Sequence, residues 1–140
     1  MWEVSAETVA KVDSASIWAL WKDPGRWKDW NEQIATASLM GPFAEGTTAK
    51  IRFKRSPVAL RFVITKLDDG RVFVDETRFP GARMGHEHLI DPVAGQTRIV
   101  HRLFIDGPLE RIYALMMGRQ MKRAIRIFGE REVELAREHS

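Results

Sequence analysis

The sequence contains no cysteine. A chain without cysteine has no disulfide bond, no thiol nucleophile and no thiolate metal ligand, and it suits a reducing compartment, so we expect a cytoplasmic protein. It also lacks an apolar run of the ~18 residues that a membrane-spanning helix needs. The N-terminal segment MWEVSAETVAKVD alternates in polarity and is unlike a signal peptide. These absences argue against disulfide-stabilised scaffolds, cysteine-dependent enzymes and helical membrane proteins.

Positive charge exceeds negative charge only slightly, with a formal net charge of +3 over 140 residues. Much of the excess lies in GRQMKRAIR, residues 118–126, which is typical of a solvated helix face. Such a face could contact an anionic membrane transiently, but stable insertion and nucleic-acid binding are not expected. The hydrophobic content of 44% predicts one folded domain, residues 1–140, which could pair as a homodimer.

Hydrophobic patterning predicts an α+β fold. Residues 2–12 alternate as a half-buried strand whose even-numbered side chains point inward. Two short helical segments follow, SASIWALWKD and RWKDWN, the first with an N-cap oxygen from Asp13 or Ser14. About six strands with short connections come next, which favours an antiparallel sheet. A long helix is then predicted from Pro108 to about Arg137.

Three of the four histidines lie in one segment, GHEHLIDPVAGQTRIVH. A two-residue or four-residue turn between its halves places His88 opposite His101 and Glu87 opposite Arg102. Oppositely charged pairs belong on the solvent face of a sheet. The histidines, including His86, are therefore predicted on the inner face.

The preceding hairpin brings further polar residues to the inner face. The Asp69-Gly70 pair predicts a two-residue loop, and a tight turn near residues 80–82 continues the meander. The row of side chains predicted inward is Phe62, Phe73, Asp75, Thr77 and Phe79. An unpaired polar group in a packed core costs about 1–3 kcal/mol. So many polar groups on one inner face therefore indicate a ligand cavity with apolar walls and polar anchors.

These features resemble the SRPBCC superfamily (START, aromatase/cyclase and Bet v 1-like proteins), in particular its polyketide cyclase/dehydrase-like branch. The resemblance covers nearly the whole chain and rests on VDSASIWALWKDPGRWKDWN, GPFAEGTTAKIRF, the histidine hairpin and the long closing helix. It implies a helix-grip fold, in which a seven-stranded antiparallel sheet wraps around the C-terminal helix and a hydrophobic cavity. The superfamily includes lipid carriers, polyketide and quinone binders and cyclases, without a shared catalytic motif. The resemblance implies no metal and no cofactor.

Candidate ligand-binding residues are those that the predicted elements turn towards the cavity. From the C-terminal helix we expect Tyr113, Met116, Met117 and Met121, because helical spacing makes an apolar stripe and methionine adapts to varied ligands. From RWKDWN we expect Trp30 at the cavity mouth. The sheet is expected to contribute Phe53, Phe62, Phe73, Thr77, Phe79, His86, His88, His101 and Leu103.

The histidines allow four interpretations, and in the simplest they are structural side chains that are hydrogen-bonded across the sheet or to the backbone. They could orient a small hydrophobic ligand such as a lipid, polyketide, aromatic or quinone-like molecule, which is the function we expect. Alternatively, His88 or His101 with Asp75 could be the acid–base pair of a cyclase, dehydratase or hydrolase. Three histidines in this arrangement can also hold zinc, but the resemblance implies no metal and we expect none.

Overall fold

A computed structural model describes residues 1–138. The strands are β1 (Trp2–Ala10), β2 (Ile34–Leu39), β3 (Thr48–Phe53), β4 (Leu60–Asp68), β5 (Val72–Phe79), β6 (Ala82–Val93) and β7 (Gln96–Asp106). The helices are α1 (Ser14–Trp21), α2 (Trp27–Trp30) and α3 (Glu110–Glu138), with a 3₁₀ turn at Pro24–Arg26. Residues 139–140, which the predicted domain includes, lie outside the described part of the chain.

The strands form one seven-stranded antiparallel sheet in the order β1-β7-β6-β5-β4-β3-β2. β2 to β7 follow one another as a meander, and the first strand returns to pair with the last one. α3 packs against β1 and β7, and both short helices pack against α3. The prediction of an α+β helix-grip fold with seven strands is confirmed.

Two short helices follow β1, as the residue pattern predicted. α1 begins after Asp13, whose Oδ1 accepts a hydrogen bond from Ala15 N at 3.1 Å. The turn at Pro24–Arg26 then directs α2 back over the sheet. The two helices bury four indole side chains, which are Trp18, Trp21, Trp27 and Trp30. These indoles belong to the main hydrophobic core, so the helices seal one side of the sheet.

The β4–β5 hairpin differs from the predicted two-residue turn at Asp69-Gly70. Asp68 pairs with Val72, so the loop contains three residues and the register is shifted by one. An irregularity just after Ile64 absorbs the shift and restores the predicted pairing of Ile64 with Asp75. The inner face of β5 therefore keeps the predicted residues despite the wrong loop length.

α3 begins two residues later than predicted. Residues 107–109 form a turn in which Leu109 N donates to Gly81 O at 2.9 Å. Gly107 has a φ of +136°, and a Cβ there would lie 2.6 Å from Gly81 O, so this turn requires glycine. The helix from Glu110 to Glu138 has 29 residues and is about 43 Å long. Within residues 1–138, no helix is long and apolar enough to cross a membrane.

Gly85→Ala is expected to destabilise the sheet, because a Cβ at this position would lie 2.2 Å from Phe104 Cζ. The buried Phe104 ring also lies beneath the guanidinium groups of Arg83 and Arg102, 5.4 and 4.8 Å from its centroid, which restricts its movement. We expect urea denaturation to show a loss of about 1–3 kcal/mol. Gly25→Ala, whose Cβ would meet nothing closer than 3.4 Å, is the control. Equal losses in the two variants would contradict this account.

Candidate functional site

The β6–β7 hairpin has the predicted register. His88 pairs with His101, and Glu87 pairs with Arg102. On the outer face, Arg102 Nε donates to Glu87 Oε1 at 3.3 Å. The rings of His86 and His101 each lie 5.4 Å from the Phe128 ring of α3. The histidine face is therefore the inner face, as predicted.

A buried carboxylate on α3 anchors the histidine cluster. Glu132 is 0% exposed. Its Oε1 accepts a hydrogen bond from His101 Nε2 at 2.6 Å, and its Oε2 accepts one from the indole Nε1 of Trp21. Two donors from different elements thus compensate the burial of one carboxylate, as a buried charge requires.

The hydrogen-bonded chain continues from the carboxylate towards the cavity. His101 Nδ1 and His86 Nε2 are 2.8 Å apart. His101 is buried, whereas His86 is only partly buried. Glu132, His101 and His86 therefore form a linear chain from the core to the cavity, which we call the Glu132 chain.

His88 lies beside the Glu132 chain with contacts of a different kind. Its ring stacks on Phe73 and on His86, each with a centroid separation of 3.7 Å. His88 Nδ1 is 3.2 Å from the carbonyl oxygen of Phe73, to which it donates when protonated. His88 therefore lines the cavity as a packed side chain that is not a member of the Glu132 chain.

A cavity lies between the sheet, α2 and α3. It has a volume of about 90 Å³. Its lining is mostly apolar, with polar groups from Asn31, Gln33, Asp75, His86 and His88. The apolar lining is Trp27, Trp30, Ile34, Ile51, Phe53, Phe62, Met84, Gly85, Leu103, Met121 and Phe128.

Burial sets the protonation of the polar groups in the cavity. It lowers the pKa of His86 well below the ordinary value of 6.5, and nearby His88 and His101 lower it further. Burial and then His101 lower the pKa of His88 in the same way. Burial, with a smaller contribution from Glu76, raises the pKa of Asp75 from 3.8 to about 7. Near neutral pH the cavity therefore has two neutral imidazoles and a carboxyl group that keeps its proton in a substantial fraction of the molecules.

Eight of the residues named from the sequence line this cavity. They are Trp30, Phe53, Phe62, Asp75, His86, His88, Leu103 and Met121. Asp75 and His86 are directly paired across β5 and β6. The acid–base pair predicted from the sequence was Asp75 with His88 or His101, whereas the structure places His86 beside Asp75. His101 is behind His86 in the Glu132 chain, outside the cavity lining.

Several predicted lining residues lie elsewhere. Phe73 is packed in the core beneath the tryptophans, and the hydroxyl of Thr77 donates to Arg61 O at 2.8 Å. Phe79 stacks on Tyr113, whose hydroxyl donates to Pro80 O at 2.7 Å. The prediction that these side chains line the cavity is wrong, because each already has its partners in the protein.

The first half of α3 is also further from the cavity than predicted. Met116 is 73% exposed and its neighbour Leu115 is 89% exposed. Met117 is partly buried against a small separate cluster that contains Ile105 and Met121. The apolar stripe of α3 was predicted to line the cavity along its whole length. The start of the helix extends past the cavity, so Met116 and Met117 do not line it.

Glu132 is the residue that sequence reasoning missed. It lies four residues after Phe128 and seven after Ile125, both buried on α3, so it falls on the apolar stripe of this helix. A single carboxylate at a position of the apolar stripe is the sequence signal that could have identified Glu132.

The histidines also meet the spacing of a metal site. One ring nitrogen from each of His86, His88 and His101 lies within 4.8 Å of the others. However, the 2.8 Å between His86 Nε2 and His101 Nδ1 is a hydrogen-bond distance, shorter than the ~3.3 Å that separates two nitrogens bound to one zinc ion. The rings of His86 and His88 are stacked, with planes 23° apart. The arrangement fits hydrogen bonding better than metal binding, and the expectation of no metal stays a prediction.

Comparison with known proteins identifies the family of the chain. The family model described as polyketide cyclase / dehydrase and lipid transport matches residues 1–131. The chain belongs to the polyketide cyclase/dehydrase and lipid transport family. The superfamily resemblance seen in the sequence is thereby confirmed. No curated protein sequence matches this polyketide cyclase/dehydrase family member.

Solved structures share the fold of this polyketide cyclase/dehydrase family member. A START superfamily protein from Mycobacterium smegmatis has a TM-score of 0.71 at 9% identity, covering 99% of both chains. Truncated norcoclaurine synthase from Thalictrum flavum has a TM-score of 0.68 at 13% identity, covering 99% of this chain and 95% of that one. The same enzyme in complex with dopamine and hydroxybenzaldehyde has a TM-score of 0.67 at 13% identity, covering 99% and 88%. At such identities the likeness shows the fold alone.

Proposed function

We propose that the protein binds one small hydrophobic molecule in the cavity between the sheet and α3. The observation that carries this proposal is the cavity itself, whose apolar walls end in a small group of polar side chains. Ligand sites commonly combine these two features, because apolar burial supplies affinity while few polar groups fix orientation. Membership of a family described by lipid transport supports the same function.

The dimensions of the cavity narrow the ligand class. A volume of about 90 Å³ suits a small aromatic molecule and is too small to enclose a long acyl chain. Aromatic walls from Trp27, Trp30 and Phe128 favour a flat ring system. Among the ligand classes expected from the sequence, an aromatic, quinone-like or short polyketide molecule fits better than a long-chain lipid. The aromatic ligands of norcoclaurine synthase support this choice only by analogy of fold.

One buried donor favours a ligand that carries a carbonyl group. Trp30 lines the cavity, and its indole Nε1 has no hydrogen-bond partner among residues 1–138. Buried polar atoms are normally paired. An oxygen on the ligand that accepts from Trp30 would complete this pairing, and Asp75 and His86 can bond a second oxygen.

Binding of 2-tetralone, a bicyclic aromatic ketone, tests this proposal by isothermal titration calorimetry. Met121→Trp is expected to weaken binding at least 10-fold, because Met121 lines the cavity and the larger side chain fills it. Met116→Trp places the same side chain on an exposed position of the same helix and should leave the affinity unchanged. Circular dichroism checks that both variants fold. No binding to the wild type, or equal weakening by both variants, contradicts the proposed function.

Native mass spectrometry of the freshly purified protein should in addition show a co-purified hydrophobic molecule. A homodimer, transient membrane contact through α3 and a cytoplasmic location remain predictions.

A further inference from the structure

We propose that the Glu132 chain makes the cavity an acid–base catalytic site, in which His86 removes a proton from a carbon next to a carbonyl group of the bound molecule. This inference rests on the proposed function, since the same cavity must hold the molecule. His86 and Asp75, which line the cavity, are the catalytic residues. His101 and Glu132 are positioning residues, because they act through His86.

The hydrogen bonds define which nitrogen of His86 faces the reaction. Glu132 as a carboxylate only accepts, so His101 Nε2 carries a proton and donates to it. In neutral His101 the other nitrogen, Nδ1, is then an acceptor, and it takes the proton of His86 Nε2 at 2.8 Å. The ring nitrogen of His86 that remains unprotonated is Nδ1. A neutral histidine with a free lone pair thus lines the cavity.

When His86 takes up a proton, the positive charge need not stay on His86 in the cavity. When His86 Nδ1 receives a proton, the proton on Nε2 can move to His101 Nδ1. His86 is then neutral again, and the positive charge lies on His101, 2.6 Å from Glu132 Oε1. Burial disfavours an unpaired imidazolium, so this shift makes His86 a more effective base than an isolated buried histidine.

Asp75 supplies the acid beside His86, on the same inner face of the sheet. It is paired with His86 across neighbouring strands and lines the same cavity. Its pKa, raised to about 7 by burial and by Glu76, keeps a substantial protonated fraction at neutral pH. A carboxyl group that still holds its proton can donate to a carbonyl oxygen. The two catalytic groups therefore have opposite roles, which their environments impose.

The proposed step is enolisation of a ketone, with every proton accounted for. The C–H proton passes to His86 Nδ1, and its electron pair forms a carbon–carbon double bond. The carbonyl π electrons move to oxygen, which takes the proton of Asp75. The products are an enol, an Asp75 carboxylate and a protonated His101 beside Glu132. Reversal of the step returns both protons, so no oxidant, reductant or other reactant is needed. Enols of this kind are intermediates in aldol cyclisation and in dehydration.

Deuterium exchange of 2-tetralone in D₂O, followed by ¹H NMR, measures this step. We expect the wild type to exchange the protons next to the carbonyl at least 100-fold faster than His86→Gln, in the range that general-base catalysis supplies. Glu132→Gln should exchange at least 10-fold more slowly than the wild type while 2-tetralone still binds. Thr77→Val is the control, because Thr77 is buried in β5 but lies outside the cavity lining and the Glu132 chain. It should exchange at the wild-type rate.

The pH dependence of the exchange rate distinguishes a positioning role of Glu132 from a purely structural one. His86 faces His88 on its own strand, Asp75 on β5 and His101 on β7, and Glu132 on α3 lies behind His101. The wild-type rate should rise with pH as His86 loses its proton, at a pKa that burial holds well below 6.5, and should fall as Asp75 ionises near pH 7, which gives a bell-shaped curve. In Glu132→Gln the rising limb should move to a different pH. A variant that only unfolds would lower the amplitude without moving the limb.

A measurement without a ligand keeps the inference falsifiable. ¹⁵N NMR of the histidine rings at pH 8 should show His101 protonated at Nε2 and His86 protonated at Nε2. A proton on His86 Nδ1 would remove the base and overturn the inference. Bound 2-tetralone without exchange would also overturn it and leave the proposed function intact. If 2-tetralone does not bind, the proposed function fails, and the ring tautomers still decide the state of the Glu132 chain.

Discussion

Glu132→Ala is expected to lower the free energy of unfolding by about 3–5 kcal/mol, measured by urea denaturation at pH 7. The substitution leaves the buried Nε1 of Trp21 and Nε2 of His101 without their acceptor. Each unpaired buried donor costs about 1–3 kcal/mol, and the lost side-chain volume leaves a cavity in the core. This is the largest stability effect that we expect from one substitution.

Two variants of the same helix make the test specific. Glu130→Ala removes an exposed carboxylate two residues away and should change stability by less than about 0.5 kcal/mol. Glu132→Gln keeps one carbonyl acceptor but offers its amide N–H to a second donor, so its loss should lie between the other two. If Glu132→Ala were as stable as Glu130→Ala, the hydrogen bonds at Glu132 would not support the core.

Asp75→Asn is expected to stabilise the protein at alkaline pH by up to about 4 kcal/mol. Burial, and then Glu76, raise the pKa of Asp75 from 3.8 to about 7. Between pH 3.8 and about pH 7, Asp75 has lost its proton in the unfolded chain but still holds it in the folded protein. Stability therefore falls as pH rises from about 4 to 7, and the full loss persists above pH 7. Asparagine does not ionise, so the variant avoids this loss.

Urea denaturation at pH 4 and pH 8 measures the effect. The gain from Asp75→Asn should be present at pH 8 and nearly absent at pH 4, whereas Asp69→Asn, at an exposed loop position, should show little gain at either pH. A gain that does not depend on pH would contradict the raised pKa of Asp75.

His86 and His88 have the opposite effect on the pH dependence of wild-type stability. Burial lowers the pKa of His86 and of His88 below the value of 6.5. Below pH 6.5 the unfolded chain binds protons that the folded protein does not, so stability is lost as pH falls. Because these contributions oppose that of Asp75, the pH dependence of the wild type alone cannot reveal either. The difference between variant and wild type isolates Asp75.

The histidine hairpin shows what local sequence can predict. The turn between β6 and β7 is short, and side chains alternate with a period of two, so a correct turn specifies every partner along the hairpin. The Glu87–Arg102 pair then identified the outer face. The β4–β5 hairpin was predicted less well, since a three-residue loop and a compensating irregularity carry no clear sequence signal.

α3 shows where periodicity alone fails. A stripe of apolar residues at helical spacing indicates that one face of the helix is buried, but it does not indicate what each part of that face contacts. Met121 lines the cavity, whereas Met116 is exposed, although both were placed in the same wall. The difference depends on where the helix crosses the sheet, which is a property of the whole fold.

Local turns, alternation and short motifs were enough to predict the family, the antiparallel sheet and the inward side of the histidines. The partners of the histidines depend on contacts between distant parts of the chain. Glu132 reaches Trp21 and His101 across 111 and 31 residues of chain, and no local pattern encodes such contacts. Packing of α3 onto the sheet places Glu132 behind His101, and that contact joins His101 and His86 into the chain for which proton transfer is proposed.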